Sequence, residues 1–195
     1  MPHLLPQLQQ RYPELRLEVR ETQTQMLLDE LSNGALDTAL LALPLDDEHV
    51  ETRALIEDRL MLAVPANDDT YAERIGTRDV DQQRLILLEK GHCLRDQTLA
   101  FCTLPRWSNA QKHGETRLDA SSLATVTQMV ANGYGVTLLP ELAANLELRD
   151  GRVKVIRFHE PEPSRIIGLA WRRTSPRVHD FHALGDLVLE MFAKT

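Results

Sequence analysis

The sequence predicts an α/β fold. Short apolar runs of strand length alternate with segments whose apolar residues recur at helical spacing. The 195 residues leave room for one large domain or two small lobes, and 43% of them are hydrophobic, enough for a core. No apolar run approaches the ~20 residues of a membrane span. Strands that alternate with helices also favour largely parallel sheets.

Leu4, Leu5, Leu8 and Tyr12 share a helix face, and Pro13 ends that helix. Leu15, Leu17 and Val19 alternate at period two, so residues 15–20 read as a strand. Thr22 or Thr24 can cap the next helix, which buries Leu27, Leu28 and Leu31 and stops at Gly34. Ala39–Leu43, Leu60–Val64 and Leu85–Leu88 are apolar runs of strand length. Ser121 and Ser122 offer the start of a helix with Leu123, Val126 and Val130 on one face, ended by Asn132-Gly133. Gly135–Leu139 is a short strand closed by Pro140. Val153, Val155 and Phe158 mark another strand, and Ile166–Trp171 a further one. Phe181, Leu184, Val188 and Met191 define a closing amphipathic helix.

Charge and motifs exclude several function classes. The net charge is −7, and a phosphate-gripping surface needs a basic face, so the chain is not expected to bind DNA by itself. Asp46-Asp47-Glu48 reads as a solvated loop. Gly133-Tyr134-Gly135 lacks the third glycine of a dinucleotide fingerprint and precedes a strand, so it is a turn. No nucleophile elbow frames a serine, which leaves nothing that suggests a hydrolase.

The only two cysteines, Cys93 and Cys102, stand nine positions apart. On one helix that separation is a rise of about 13.5 Å and a turn of about 900°, which puts the thiols on opposite faces. A disulfide needs Cα atoms within roughly 7 Å, so a bond between them requires the stretch to unwind. Oxidation is then a conformational event, the logic of a redox switch. Gly91 breaks the chain before a helix and leaves Cys93 in a first turn, where backbone N–H groups stabilise a thiolate. His92 is adjacent and Asp96 lies one turn along, while Arg95 points about 200° away round the helix. Cys102 follows Leu99, Ala100 and Phe101 and reads as a buried, slower thiol. Two ordinary buried cysteines are the plain alternative. Zinc binding is disfavoured by the spacing. A permanent disulfide is disfavoured by the absence of a signal peptide, which points to a reducing cytoplasm.

The string Gly91-His92-Cys93-Leu94-Arg95-Asp96-Gln97-Thr98-Leu99-Ala100-Phe101-Cys102 resembles the redox segment of the OxyR branch of the LysR-type transcriptional regulators. Leu4-Leu5-Pro6-Gln7-Leu8 through Tyr12-Pro13-Glu14-Leu15 resembles the start of a LysR-type effector domain, as does Gly34 through Leu40. Met129 through Pro140 is similar to the same class, so the resemblance covers nearly the whole chain. It implies two Rossmann-like α/β lobes joined by two crossover strands, as in type 2 periplasmic binding proteins. Lobe I would take residues 1–57 and 166–195, and lobe II residues 58–165.

The resemblance also implies roles. Cys93 matches the peroxidatic cysteine and Cys102 the resolving one, linked reversibly as a disulfide. Thr24, His92 and Arg165 match residues of a peroxide pocket, and Asp96 joins them. The implied ligand is hydrogen peroxide, sensed stoichiometrically rather than turned over by an enzyme, with no cofactor and no metal. The implied partners are further copies of the chain, as dimer or tetramer, and a thiol–disulfide reductant such as glutaredoxin. DNA would be met only through a separate N-terminal helix-turn-helix, and no membrane is involved.

The chain departs from the family pattern at three points. The winged helix-turn-helix and linker helix are not in this sequence. The chain opens after the family's first effector-domain strand, which carries a second pocket threonine, so lobe I is expected to lack a strand. The loop from Cys102 to Asp119, with Arg106, Lys112, His113, Glu115 and Arg117, is longer than usual and reads as solvent exposed. Two other functions compete. One is a LysR-type effector domain that binds a small organic anion and carries non-redox cysteines. The other is a thiol peroxidase, which explains the cysteines but not the two-lobe pattern.

Overall fold

The computed structural model describes residues 4–102, 119–148 and 151–193. The chain forms two compact units: Met1–Ile56 with Ile166–Thr195, and Glu57–Arg165. Two strands carry the chain between them. β2 (Val50–Pro65) leaves unit 1 between Ile56 and Glu57, and β8 (Ser164–Arg172) returns between Arg165 and Ile166. The charged loop around Arg106, Lys112, His113, Glu115 and Arg117 lies outside the described residues.

Unit 1 holds α1 (Leu4–Arg11), α2 (Thr24–Asn33), β1 (Thr38–Leu43) and α6 (Val178–Phe192), with the outer parts of β2 and β8. β1 runs antiparallel to β8, from Thr38 opposite Trp171 to Leu43 opposite Ile166. Trp171 is fully buried and packs on Phe181 of α6 with ring centroids 5.6 Å apart. α2 buries Leu28 and Leu31 against Ala39, Leu41 and Ala170. Gly34 ends α2 at φ +79°, a left-handed conformation that favours glycine.

Residues 15–20 correct the sequence reading. They form no strand, and among the described residues no backbone–backbone hydrogen bond is made by 16–20. A strand exists only when a neighbour completes its ladder; alternation alone does not supply one. Leu17 and Val19 are instead 50% and 62% exposed. They line a groove of about 160 Å³ with Leu5, Leu40, Leu184 and Val188. The cap of α2 also differs. Gln23 is the N-cap and makes no side-chain cap bond; Thr24 is already inside the first turn, and the Thr22 hydroxyl faces Met26 Sδ at 3.3 Å.

Unit 2 holds β3 (Arg74–Ile75), β4 (Leu87–Leu88), α3 (Cys93–Phe101), β5 (Asp119–Ala120), α4 (Leu123–Ala131), β6 (Thr137–Pro140), α5 (Glu141–Glu147) and β7 (Val153–Phe158). Its core gathers Leu60, Leu62, Val64, Ile86, Leu138 and Phe158. Ser122 caps α4 by accepting from Thr125 N–H, and Asn132-Gly133 closes it. A side chain at Gly135 would overlap the Arg84 carbonyl oxygen, so the close approach of these two backbones requires glycine.

The sheets are mixed rather than largely parallel. β2 pairs antiparallel with β6 and β7, and β1 pairs antiparallel with β8. Among the described residues, β3–β7, β4–β5 and the Leu85–Val136 bridge are parallel. The long strands that carry the chain between units run opposite to their neighbours, which short βαβ units do not require. β2 starts ten residues before the apolar run at Leu60, and β4 is only two residues long.

Candidate functional site

The cysteine segment is a helix with one cysteine at each end. β4 leads through Glu89-Lys90 to Gly91, whose φ of +97° turns the chain into α3. His92 is the N-cap with extended backbone, and Cys93 is the first helical residue. Amide groups of a first turn lack partners within their own helix, so the half-buried Cys93 lies where negative charge is favoured. Asp96 sits in the same turn, exposed, and His92 is half-buried.

Cys102 lies one residue past α3, with its N–H bonded to Thr98 O at 3.1 Å. It is 3% exposed and packed in the unit 2 core. Burial pushes its thiol up to about 11. Both thiols are free, and an intact helix of this length holds them about 13.5 Å apart along its axis.

Two arginines anchor α3, and their carboxylate partners were not anticipated from sequence. Arg95 is buried; its Nη1 donates to Leu88 O at 2.5 Å and meets Asp119 Oδ2 at 3.0 Å. This ties α3 to the β4–β5 pair. Arg165 reaches α3 from β8, with Nη1 at 3.5 Å from Gln97 Oε1. Its Nε and Nη2 both meet Asp58 Oδ2 at 2.9 Å. Asp58 is buried, and its other oxygen accepts from Leu142 N–H in the first turn of α5 at 3.1 Å. The Arg165 side chain is itself largely buried, at 15% exposed.

Of the residues singled out in the sequence, unit 2 contains Cys93, His92, Asp96, Cys102 and Arg165. Thr24 belongs to unit 1, as the first residue of α2. Gln97 was missed although it stands at i+4 from Cys93, one turn away on the same face. Asp58 and Arg95 had no local signal, because their partners lie 107 and 24 positions away.

Among the described residues no helix is long and apolar enough to cross a membrane. Residues 1–193 match the LysR substrate binding domain model. The hydrogen peroxide-inducible genes activator of Dickeya chrysanthemi is 38% identical over 193 residues, which is 97% of this chain and 61% of that protein. The DNA-binding transcriptional dual regulator OxyR of Escherichia coli K12 is 36% identical over 190 residues, covering 96% and 60%. The chain thus spans about 60% of the length of these curated relatives. Among solved structures, the reduced OxyR regulatory domain of Pseudomonas aeruginosa superposes with a TM-score of 0.83 at 34% identity, over 97% of this chain and 90% of that one. The reduced regulatory domain of OxyR2 from Vibrio vulnificus gives 0.84 at 32%, over 97% and 88%. With its two-unit α/β fold and a match along nearly its whole length, the chain belongs to the LysR substrate binding domain family.

Proposed function

We propose that this chain is the redox-sensing regulatory domain of a hydrogen-peroxide-responsive LysR-type transcription activator. The observation that carries the reading is the placement of Cys93 at the first position of α3 and Cys102 just past its end. One thiol is set in an anion-favouring helix terminus, and the other is held neutral in the core.

The chemistry balances as two steps. The Cys93 thiolate attacks one peroxide oxygen; an S–O bond forms, the O–O bond breaks, and the departing hydroxide takes a proton to become water. Cys93 is then a sulfenic acid. The Cys102 sulfur attacks it, an S–S bond forms, the S–O bond breaks, and a second water leaves. A neutral thiol in the core is a poor nucleophile. α3 must therefore unwind before Cys102 can act, and unwinding also brings it near enough. A dithiol reductant of the glutaredoxin class returns two electrons and resets the pair. One peroxide is consumed per chain per cycle, as in a sensor.

The surrounding residues take assigned roles in this reading. Arg165 supplies positive charge beside the Cys93 face of α3. His92 and Asp96 flank the thiolate. The refolded segment alters self-association of the subunits. In a longer cytoplasmic polypeptide this repositions a separate helix-turn-helix on DNA.

Mass spectrometry before and after dilute peroxide tests the function. The expected result is loss of two hydrogens and a tryptic species linking Cys93 to Cys102. An unchanged mass, together with saturable binding of an organic anion, would instead identify a metabolite-binding effector domain with inert cysteines.

A further inference from the structure

We infer that Asp58 is the positioning residue for Arg165, and that it aims the guanidinium at the Cys93 face of α3. The inference rests on the proposed peroxide-sensing role of Cys93. Asp58 is a carboxylate whose side chain is wholly buried, a costly placement unless every oxygen is engaged. Both of its oxygens are. Oδ2 takes Nε and Nη2 of Arg165 at 2.9 Å each, and Oδ1 takes the Leu142 amide at 3.1 Å. The Nε hydrogen bond and the Nη2 ion-pair contact hold one edge of the guanidinium against Asp58. One nitrogen, Nη1, is left pointing elsewhere, and it meets Gln97 on α3. Gln97 and Cys93 are one helical turn apart on one face.

Two roles for Asp58 make opposite predictions. If it only neutralises Arg165, it works against the thiolate, and removing its charge would favour ionised Cys93. If it positions Arg165, removing the charge frees the guanidinium to turn away, and Cys93 loses its cation. The second role explains why the Oδ1 oxygen is tied to α5: a carboxylate fixed at both oxygens cannot follow the arginine if it moves. It also joins α3, β8 and α5 through one buried group.

The test is the pH profile of Cys93 alkylation by iodoacetamide in the Cys102→Ser background, with Asp58→Asn as the variant. Positioning predicts that the midpoint rises by about one pH unit, so alkylation at neutral pH slows about tenfold. In an Arg165→Ala background the same change should have no further effect. A midpoint that falls or stays fixed overturns the inference. Arg165→Lys serves if Asp58→Asn does not fold, because it keeps the charge but loses the two-nitrogen clamp. Slowing of about tenfold at neutral pH supports positioning, and wild-type behaviour overturns it. Peroxide is absent from these measurements. A wild-type chain that alkylates but ignores peroxide would sink the proposed function while the profile still decides the role of Asp58.

Discussion

Arg95 of α3 and Asp119 of β5 form an ion pair at 3.0 Å, and the same Arg95 nitrogen donates to Leu88 O. The arginine side chain is 9% exposed and the aspartate 33%. Unwinding of α3 must break or carry along this pair, because Arg95 stands two residues after Cys93.

Asp119→Asn should therefore loosen α3. Ion pairs with a partly exposed partner contribute up to about 1 kcal/mol, and the burial of Arg95 favours the upper end. Urea unfolding should show that loss, and amide exchange should rise over Cys93–Phe101. Disulfide formation after peroxide should also accelerate. Unchanged exchange in α3 would show that the pair does not hold the helix.

Gly91→Ala should strain the entry to α3. An L side chain at φ +97° costs about 1–2 kcal/mol. Reduced thermal stability is expected together with slower Cys93 alkylation, since the first turn carries the thiol. Wild-type values for both would mean that the backbone relaxes without cost.

The Cys102 thiol gives the reduced chain an alkaline limit. Its folded pKa, about 11, lies above the ordinary value of 9.0 because burial penalises the thiolate. The protonated form is thus favoured by folding. That contribution is fully present below pH 9 and is lost as pH rises from 9 through 11, about 2–3 kcal/mol in all. Cys102→Ala should remove this part of the decline in stability above pH 9. An identical alkaline slope in the variant would contradict the burial of a neutral thiol.

The groove beside residues 15–20 has the features of a strand slot. Its walls include Leu17, Val19 and Leu40, and, among the described residues, 16–20 make no backbone–backbone hydrogen bond. An alternating apolar peptide of about ten residues added to the chain should raise the melting temperature and lower binding of a hydrophobic dye. No change in either would show that the groove does not accept a strand.

How much of this was legible in the sequence depended on how local each signal was. α2 with Gly34, and α4 between Ser122 and Gly133, were readable because their stops and the Ser122 cap lie in adjacent residues. The first half of β2 was not. Glu51, Thr52, Arg53, Glu57 and Asp58 occupy a strand with no regular alternation of burial, so neither period nor apolar run marks it. Residues 15–20 failed in the opposite way, with a clear period of two and no partner. At the site, the helix between Cys93 and Cys102 and the exposure of each thiol followed from neighbouring letters. Asp58 did not, since nothing around it says that the chain returns at Arg165 to neutralise it.

The most direct measurement is hydrogen exchange by mass spectrometry on the reduced and peroxide-oxidised chain, with the disulfide mapped in the same digest. The expected result is a Cys93–Cys102 link accompanied by faster exchange across residues 91–102 than elsewhere. A mapped link with α3 amides still protected as in the reduced chain would contradict a switch that works by unwinding α3.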